Sequence, residues 1–182
     1  KPSEKSPLTA IRVAQLAVES GIPEGVFNVV PGLGQTAGQA LSSHMDVDAI
    51  AFTGSTATGK RVMQAAAQSN MKRVSLECGG KSPNIVMDDY PDLDRAAAAA
   101  AYGIFFNQGE MCSAGSRLIV HERIKDVLLE KIAAIGAKMQ PGDPLDPTTG
   151  LGAIVDEAQM QRVLEYIGAG KSEGARIYAG GE

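Results

Sequence analysis

The sequence predicts an α/β protein with open parallel sheets, and three features of the chain support this fold class. Short β-branched runs alternate with longer segments in which apolar residues recur at helical spacing. Turns rich in glycine and proline separate the two kinds of segment. The 182 residues are 44% hydrophobic, which suffices for one sizeable core or two smaller ones. We therefore expect parallel strands that are joined by helices packed on the faces of a sheet.

The first half of the chain has one leading helix and then a β-α-β-α-β pattern. Ser6 is placed to cap the leading helix, which Pro7 begins. Gly21 and Pro23 are placed to end it. The strands that follow are expected at residues 26–30, 47–52 and 73–77, with helices at residues 36–43 and 56–68. This alternation is typical of parallel sheets, because parallel strands need a crossover connection.

The second half of the chain restarts the alternation after a glycine turn at residues 78–80, where we expect a domain boundary. Asp92 is placed to cap a helix that runs through an alanine tract, and Gly168 to end the last helix. We interpret the alanine tract as a packing face. The expected strands are 84–87 and 117–120, the helical segments include 96–101, 124–135 and 160–167, and residues 141–147 form a loop.

Charge and composition exclude several classes of protein. The net charge of −4 argues against nucleic acid or an anionic membrane as the main partner. No apolar run approaches the roughly 18 residues needed to span a bilayer. Cys78 and Cys112 lie 34 residues apart, without the spacing of a zinc site or a disulfide scaffold. We therefore expect no metal, and a reducing compartment such as the cytoplasm. Residues 1–4 form no secretory signal and lack a Met, so we expect an excerpt of a longer protein.

Two glycine segments each follow an expected strand and open an expected helix. The first, residues 32–38, has glycines at a spacing of two and then four, one residue off the usual dinucleotide spacing. In the second, Gly54 would let the backbone pass close to a pyrophosphate, and Ser55 offers a hydroxyl donor. It is not a P-loop, because Arg61 stands where the Mg²⁺-binding hydroxyl belongs. Without a ligand, the alternative for the first segment is a tight βα turn, and the alternative for the second is a turn that caps the helix.

Two residues have the chemistry of a catalytic pair. Glu77 ends an apolar strand before a glycine turn, where partial desolvation would raise its pKa and suit a general base. The alternative is a carboxylate that only pairs with Lys81 or Arg73. Cys112 lies among small residues that leave room for a substrate, and its thiolate would attack a carbonyl. The alternative is an inert buried cysteine. Both histidines of the chain lie in polar segments, so a cysteine–histidine hydrolase is not expected.

Together these segments resemble the aldehyde dehydrogenase superfamily. Residues 76–83, Leu-Glu-Cys-Gly-Gly-Lys-Ser-Pro, are similar to the family's glutamate motif. Residues 106–112, Phe-Asn-Gln-Gly-Glu-Met-Cys, are similar to its cysteine motif, although Glu110 stands where a glutamine is common. Residues 52–55 resemble the cofactor turn, and residues 1–4 resemble the segment that grips the adenosine ribose.

The resemblance implies a Rossmann-like cofactor domain at residues 1–78 and an α/β catalytic domain at residues 79–182, both incomplete. It implies NAD-dependent oxidation of an aldehyde to a carboxylic acid. Cys112 would carry the thiohemiacetal and the thioester, and Glu77 would activate water. A carboxylate at Glu4 would repel a 2′-phosphate, which favours NAD and leaves NADP as the second choice. The implied cofactor contacts are Lys1, Glu4, Gly34, Gly38, Phe52, Thr53, Gly54, Ser55 and Gly79.

Residues 1–10 and 46–59 look most like bacterial ω-aminoaldehyde dehydrogenases, which act on γ-aminobutyraldehyde derivatives. The resemblance also implies that the complete enzyme is a homodimer or homotetramer. One alternative is a CoA-acylating relative, which typically lacks a glutamate at the position of Glu77. Another is a fragment of the family that catalyses nothing. We expect the 182-residue chain alone to show no dehydrogenase turnover.

Overall fold

The computed structural model describes residues 1–181, and the chain divides into two compact units. The first unit is Lys1–Gly79, and the second begins at Gly80. The predicted α/β class is confirmed, since each unit holds one pair of parallel strands together with helices. The cofactor role of residues 1–78 and the catalytic role of residues 79–182 stay predictions. No helix within residues 1–181 has both the length and the apolar character needed to cross a membrane.

The first unit contains two strands and three α-helices. Its elements in chain order are α1 (Leu8–Glu19), a π-helical turn (Gly34–Gly38), α2 (Gln39–Ser43), β1 (Ala49–Gly54), α3 (Thr56–Ala67) and β2 (Arg73–Cys78). β1 and β2 are parallel, with Thr53 opposite Glu77 and Gly54 opposite Cys78. Helix α3 is the crossover that parallel strands require, and it packs on one face of the pair.

Helix α3 approaches the strands through a stripe of small residues. Ser55 caps the helix by accepting a hydrogen bond from the N–H of Thr58 at 3.2 Å. A Cβ added to Gly59 would lie 2.9 Å from Sγ of Cys78 and 3.3 Å from Cδ1 of Leu76, so the close approach requires glycine. The side chains of β2 therefore alternate between a half-buried face under α3 and an exposed face. The buried residues of α3 are Gly59, Val62, Ala65 and Ala66.

The second unit pairs β3 with β4 in parallel and packs helices beside them. Its main elements are β3 (Pro83–Val86), α4 (Leu93–Phe105), β4 (Arg117–Val120), α5 (Lys125–Gly136) and α6 (Glu157–Ser172). Short 3₁₀ turns occupy Phe106–Gly109 and Glu122–Ile124. Val86, Ala97 and Leu128 form the centre of its core, and Leu128 has no exposed surface. The alanine tract lies in α4 and buries Ala97, Ala100 and Ala101, which lets α4 and α5 pack closely.

Asp92 caps α4 as the sequence predicts, because its carboxylate accepts a hydrogen bond from the N–H of Arg95 at 2.9 Å. Gly21 ends α1, also as predicted. It has a φ of +92°, and the N–H of the next residue, Ile22, bonds back to the carbonyl of Ala17.

Three local predictions are wrong. Residues 26–30 do not form a strand, because no strand of the described chain lies beside them to complete the hydrogen-bond ladder. Ser6 does not cap α1: the helix starts at Leu8, so Pro7 occupies the N-cap and the Ser6 hydroxyl lies one residue too early. Gly168 does not end α6, which continues to Ser172.

Helix α6 continues past Gly168 because of the backbone conformation of that residue. Gly168 does not have the positive φ that stops a helix, whereas Gly174, just beyond the helix end, has a φ of +92°. A glycine in the helical region costs some stability but does not break the hydrogen-bond pattern.

Candidate active site

A groove of about 780 Å³ runs along the edge of β1 that is not paired with β2. We call it the β1 groove. Its walls are the N-terminal residues 1–4, residues 34–42 and one side of α3, and its floor is β1 itself. All of these segments belong to the first unit. Of the residues that the sequence predicts to contact a cofactor, six line the groove: Lys1, Glu4, Gly34, Gly38, Phe52 and Thr53.

A lysine and a glutamate form the polar end of the β1 groove. Nζ of Lys1 lies 3.3 Å from Oε2 of Glu4 and donates a 2.6 Å hydrogen bond to the carbonyl of Pro2. The pKa of Glu4 is lowered by a hydrogen bond from its own backbone N–H, by the Lys1 ammonium, and by the N–H of Gly34. The methylene groups of Lys1 lie 3.7 Å from the Cβ that Gly38 lacks. The polar end is therefore an ion pair in which Glu4 stays partly exposed and the side chain of Lys1 lies over Gly38.

The turn that leads from β1 into α3 lies between residues that line the groove, Phe52 and Thr53 on one side and Thr58 on the other. The ring of Phe52 covers Gly54 so closely that an added Cβ would lie 2.6 Å from its Cζ atom. The Ser55 hydroxyl donates to Oγ1 of Thr58 at 3.0 Å and also caps the helix. Gly54 and Ser55 thus shape the turn into α3, although they do not line the groove itself.

Residues that the sequence analysis missed also line the groove. Thr58, Arg61 and Val62 face it from α3, and their spacing of three and four is the signal that identifies one face of a helix. Counting from the Ser55 cap would have found them. Four apolar side chains also line the groove: Leu41, Val47, Ile50 and Val62.

Glu77 lies on the exposed face of β2, opposite Thr53 in the neighbouring strand. Its side chain makes no ion pair with the described residues of the first unit, including Arg73. Within the first unit this face of β2 is exposed, so the partial desolvation expected from the sequence is not seen there, and the role of Glu77 as a base stays a prediction. Gly79 follows the strand, with no atom within 4 Å of an added Cβ.

Cys112 lies in an exposed turn of the second unit, between the 3₁₀ turn Phe106–Gly109 and β4. The turn is closed by a 3.0 Å hydrogen bond from the N–H of Ala114 to the carbonyl of Met111. Within residues 1–181, the N–H of Cys112 itself has no hydrogen-bond acceptor. Cys112 is exposed in this unit, so the alternative of an inert buried cysteine does not fit it, and its role as the nucleophile stays a prediction.

The backbone just before Cys112 is left-handed over three consecutive residues. Asn107, Gln108 and Gly109 have φ values of +49°, +56° and +74°. Such conformations are unfavourable for residues with a Cβ and persist where the surroundings hold them. The side chain of Gln108 reaches Gly152, where its Nε2 would lie 3.0 Å from an added Cβ. This contact ties the turn before the cysteine to the loop that precedes α6.

No group of three or more histidine, cysteine or acidic side chains in the described part of the chain could hold a metal ion. Cys78 is half-buried, with its Sγ against Gly59 of α3.

Comparison with known proteins gives a consistent result. The family model described as "Aldehyde dehydrogenase family" matches residues 1–182. The NADP/NAD-dependent aldehyde dehydrogenase PuuC of Escherichia coli K12 is 56% identical over 180 residues, which are 99% of this chain and 36% of that protein. The solved γ-glutamyl-γ-aminobutyraldehyde dehydrogenase of Burkholderia cenocepacia J2315 is 65% identical, with a TM-score of 0.95 over 100% of this chain and 36% of its own.

A solved indole-3-acetaldehyde dehydrogenase in complex with NAD⁺ is 60% identical, with a TM-score of 0.96 over 100% of this chain and 37% of its own. The chain therefore spans about a third of the length of the relatives that it matches.

Proposed function

Because the chain belongs to the aldehyde dehydrogenase family, we propose that it is the part of an NAD-dependent enzyme that carries the nucleophile, the base and most of the cofactor groove. The reaction is the oxidation of an aldehyde to a carboxylic acid. The observation that carries the proposal is the β1 groove, because six residues chosen from the sequence line one cavity. The NAD⁺ complex of a relative that is 60% identical supports the choice of cofactor.

The groove fits the adenosine half of a dinucleotide in shape and chemistry. A ribose presents two hydroxyl groups, and the carboxylate of Glu4 is an acceptor that Lys1 holds in place. The apolar side chains that line the groove, Leu41 and Val62 among them, suit a flat aromatic base. Gly34 and Gly38 leave the backbone bare along this wall, so a ligand can approach it closely.

The start of α3 fits a pyrophosphate. The first N–H groups of a helix lack partners within it and carry positive partial charge. The Ser55 hydroxyl accepts the hydrogen bond from the N–H of Thr58, so the N–H groups of Thr56 and Ala57 can bind an anion. Arg61 lines the same groove one turn later and adds a positive charge.

Cys112 performs the covalent chemistry in this proposal. Its thiolate adds to the aldehyde carbon, and its own N–H donates to the oxygen that becomes negative. When that oxygen re-forms a carbonyl, the carbon loses a hydride and a thioester on Cys112 remains. NAD⁺ supplies the hydride acceptor.

Glu77 completes the reaction. Its carboxylate takes a proton from a water molecule, and the resulting hydroxide attacks the thioester carbon. The thiolate of Cys112 leaves as the carboxylic acid forms, and Glu77 returns to its carboxylate by giving its proton to solvent. Release of the acid and exchange of the reduced cofactor for NAD⁺ would restore the starting state. A CoA-acylating relative would use the CoA thiol in place of water, and a glutamate at position 77 argues against that variant.

The proposed substrate is an aliphatic ω-aminoaldehyde. The names of the Escherichia coli and Burkholderia relatives place those proteins among aldehyde dehydrogenases, and the Burkholderia enzyme acts on a γ-aminobutyraldehyde derivative. We assign the complete enzyme to the cytoplasm, where a reducing environment keeps Cys112 as a thiol. We also assign it a homodimeric or homotetrameric state.

Single substitutions in the complete enzyme test the two catalytic roles. Cys112→Ala abolishes NADH formation, whereas Cys78→Ala, at the other cysteine, retains it. Glu77→Gln gives about one NADH per active site in a rapid burst and then stalls, because hydride transfer precedes the step that needs the base. Glu165→Gln, on the exposed surface of α6, is the matched control and turns over normally. Steady turnover by Glu77→Gln would show that another group activates the water.

Two further measurements separate the alternatives. Added CoA leaves the rate and the carboxylic acid product of the complete enzyme unchanged, whereas formation of an acyl-CoA would favour the CoA-acylating reaction. The purified 182-residue chain forms no NADH with γ-aminobutyraldehyde, and measurable turnover would contradict that expectation.

A further inference from the structure

A buried lysine lies behind the wall of the β1 groove. The side chain of Lys72 is 6% exposed, and its Nζ donates to the carbonyl of Ser42 at 2.8 Å and to Oγ of Ser69 at 3.0 Å. Ser42 is the fourth residue of α2, and Ser69 lies just beyond the end of α3. A buried ammonium is costly unless nearby groups compensate its charge. Here both partners lie at the carboxyl ends of helices, where the partial charge is negative.

The Ser69 hydroxyl extends this compensation into α3. Its oxygen accepts from Lys72, and its proton is shared between the carbonyls of Ala65 and Ala66 at 2.9 and 3.2 Å. A single ammonium therefore joins the carboxyl ends of α2 and α3. Ser42, 3% exposed, in turn donates from Oγ to the carbonyl of Gly38 at 2.8 Å.

Asn70 holds the next part of the same wall. Its Nδ2 donates to the carbonyls of Met45 and Val47 at 2.7 and 3.0 Å, in the segment between α2 and β1. The residue between the two anchors, Met71, has a φ of +55° and is 82% exposed. Its left-handed backbone lets Asn70 and Lys72 both point inward while its own side chain points to solvent.

We propose that Asn70 and Lys72 are positioning residues that fix the α2 wall of the β1 groove in its cofactor-binding shape. The inference rests on the proposed function for the identity of the ligand. Ser42 and Val47 both line the groove, and each is held through its carbonyl by one of the two anchors. Neither Asn70 nor Lys72 lines the groove itself, so they act on the ligand only through the wall residues that they bond.

Binding of NAD⁺ to the complete enzyme, measured by calorimetry, tests the proposal. Lys72→Met keeps most of the unbranched side chain but removes its charge and both hydrogen bonds, and we expect a five- to tenfold weaker affinity. Asn70→Ala has a similar effect. Lys60→Met, at an exposed lysine of α3, is the control and leaves the affinity unchanged. Lys72→Arg restores charge and donors, and we expect partial recovery.

Amide hydrogen exchange measures the local stability of the α2 wall directly. In Lys72→Met, amides of residues 39–47 exchange faster while those of β2 keep their protection. In the complete enzyme the same variant raises KM for NAD⁺ with kcat within twofold of the original value. A protein that is only less stable would instead lose protection throughout the first unit.

The outcomes separate the two proposals. If the unsubstituted enzyme binds no NAD⁺, the proposed cofactor site fails, and hydrogen exchange still decides whether Lys72 holds the wall. If the enzyme binds NAD⁺ and Lys72→Met binds it equally well, the positioning role is refuted. If Lys72→Met does not fold, Asn70→Ala decides: unchanged affinity in that variant refutes the role.

Discussion

The contact between Gly59 of α3 and Cys78 of β2 makes a quantitative prediction about stability. A methyl group at residue 59 would lie 2.9 Å from Sγ of Cys78, and 3.3 and 3.7 Å from the two methyl carbons of Leu76. Ordinary contacts between carbon atoms lie at about 3.5–4.0 Å, so the sulfur would be at least about 0.6 Å too close. Gly59→Ala therefore pushes α3 away from the strands or forces Cys78 from its rotamer.

Two opposing terms set the size of the effect. Overpacking a buried site costs about 1–3 kcal/mol, whereas replacing glycine by alanine inside a helix contributes about 1 kcal/mol of stability. We expect Gly59→Ala to lower the free energy of unfolding by about 1 kcal/mol. Gly103→Ala in α4 is the matched control, because nothing lies within 4 Å of its added Cβ. That variant keeps only the helix term and becomes more stable by up to about 1 kcal/mol.

A double-mutant cycle with Cys78→Ala isolates the clash. Removing the sulfur relieves the overlap, so the double variant should be more stable than the sum of the single effects by about 1–2 kcal/mol. Urea unfolding followed by circular dichroism gives all four free energies. Additive effects, within about 0.5 kcal/mol, would show that the sulfur is not what excludes a side chain at residue 59.

Three further predictions concern caps and carboxylates. Asp92→Ala removes the cap of α4 and lowers the free energy of unfolding by about 1 kcal/mol, while Asp94→Asn changes it less, as urea unfolding would show. The pKa of Glu4 is lowered below the usual 4.5, so its contribution to stability is complete above that pH and is lost only as the pH falls through the lower folded value. A carbon-detected NMR titration measures this, and Lys1→Met should bring the pKa closer to 4.5. Asp146→Ala removes hydrogen bonds within the loop at residues 143–149 and should speed proteolysis there.

Local signals explain which elements could be predicted from the sequence. The strand ending at Glu77 and the helix after Ser55 lie within about two residues of their expected bounds, because a cap, an apolar stripe and a glycine turn all act nearby. The strand at residues 26–30 was wrong for the opposite reason. A β-branched run becomes a strand only beside a partner, and a partner is not encoded in the run itself.

The residues of the candidate site also differ in whether a local sequence signal identifies them. Lys1, Glu4 and Cys112 could be selected because the motifs that contain them are contiguous, and their cofactor and catalytic roles stay predictions. Asn70 and Lys72 could not be selected, because their partners are backbone carbonyls about 25 and 30 residues away in the chain. A buried lysine whose partners are a carbonyl and a hydroxyl has no charge pattern to reveal it.

The parallel register of β1 and β2 limits how the chain can change. Side chains alternate along a strand, so Glu77 faces outward only because Cys78 faces α3. Deleting one residue between Asn70 and Glu77 would turn the carboxylate under the helix and the sulfur toward solvent, while every hydrogen bond of the ladder could still form. Substitutions in this strand therefore change stability by varying amounts, but an insertion or deletion of a single residue moves every following side chain of the strand to the opposite face. Homologous enzymes should vary in composition here and keep a constant length.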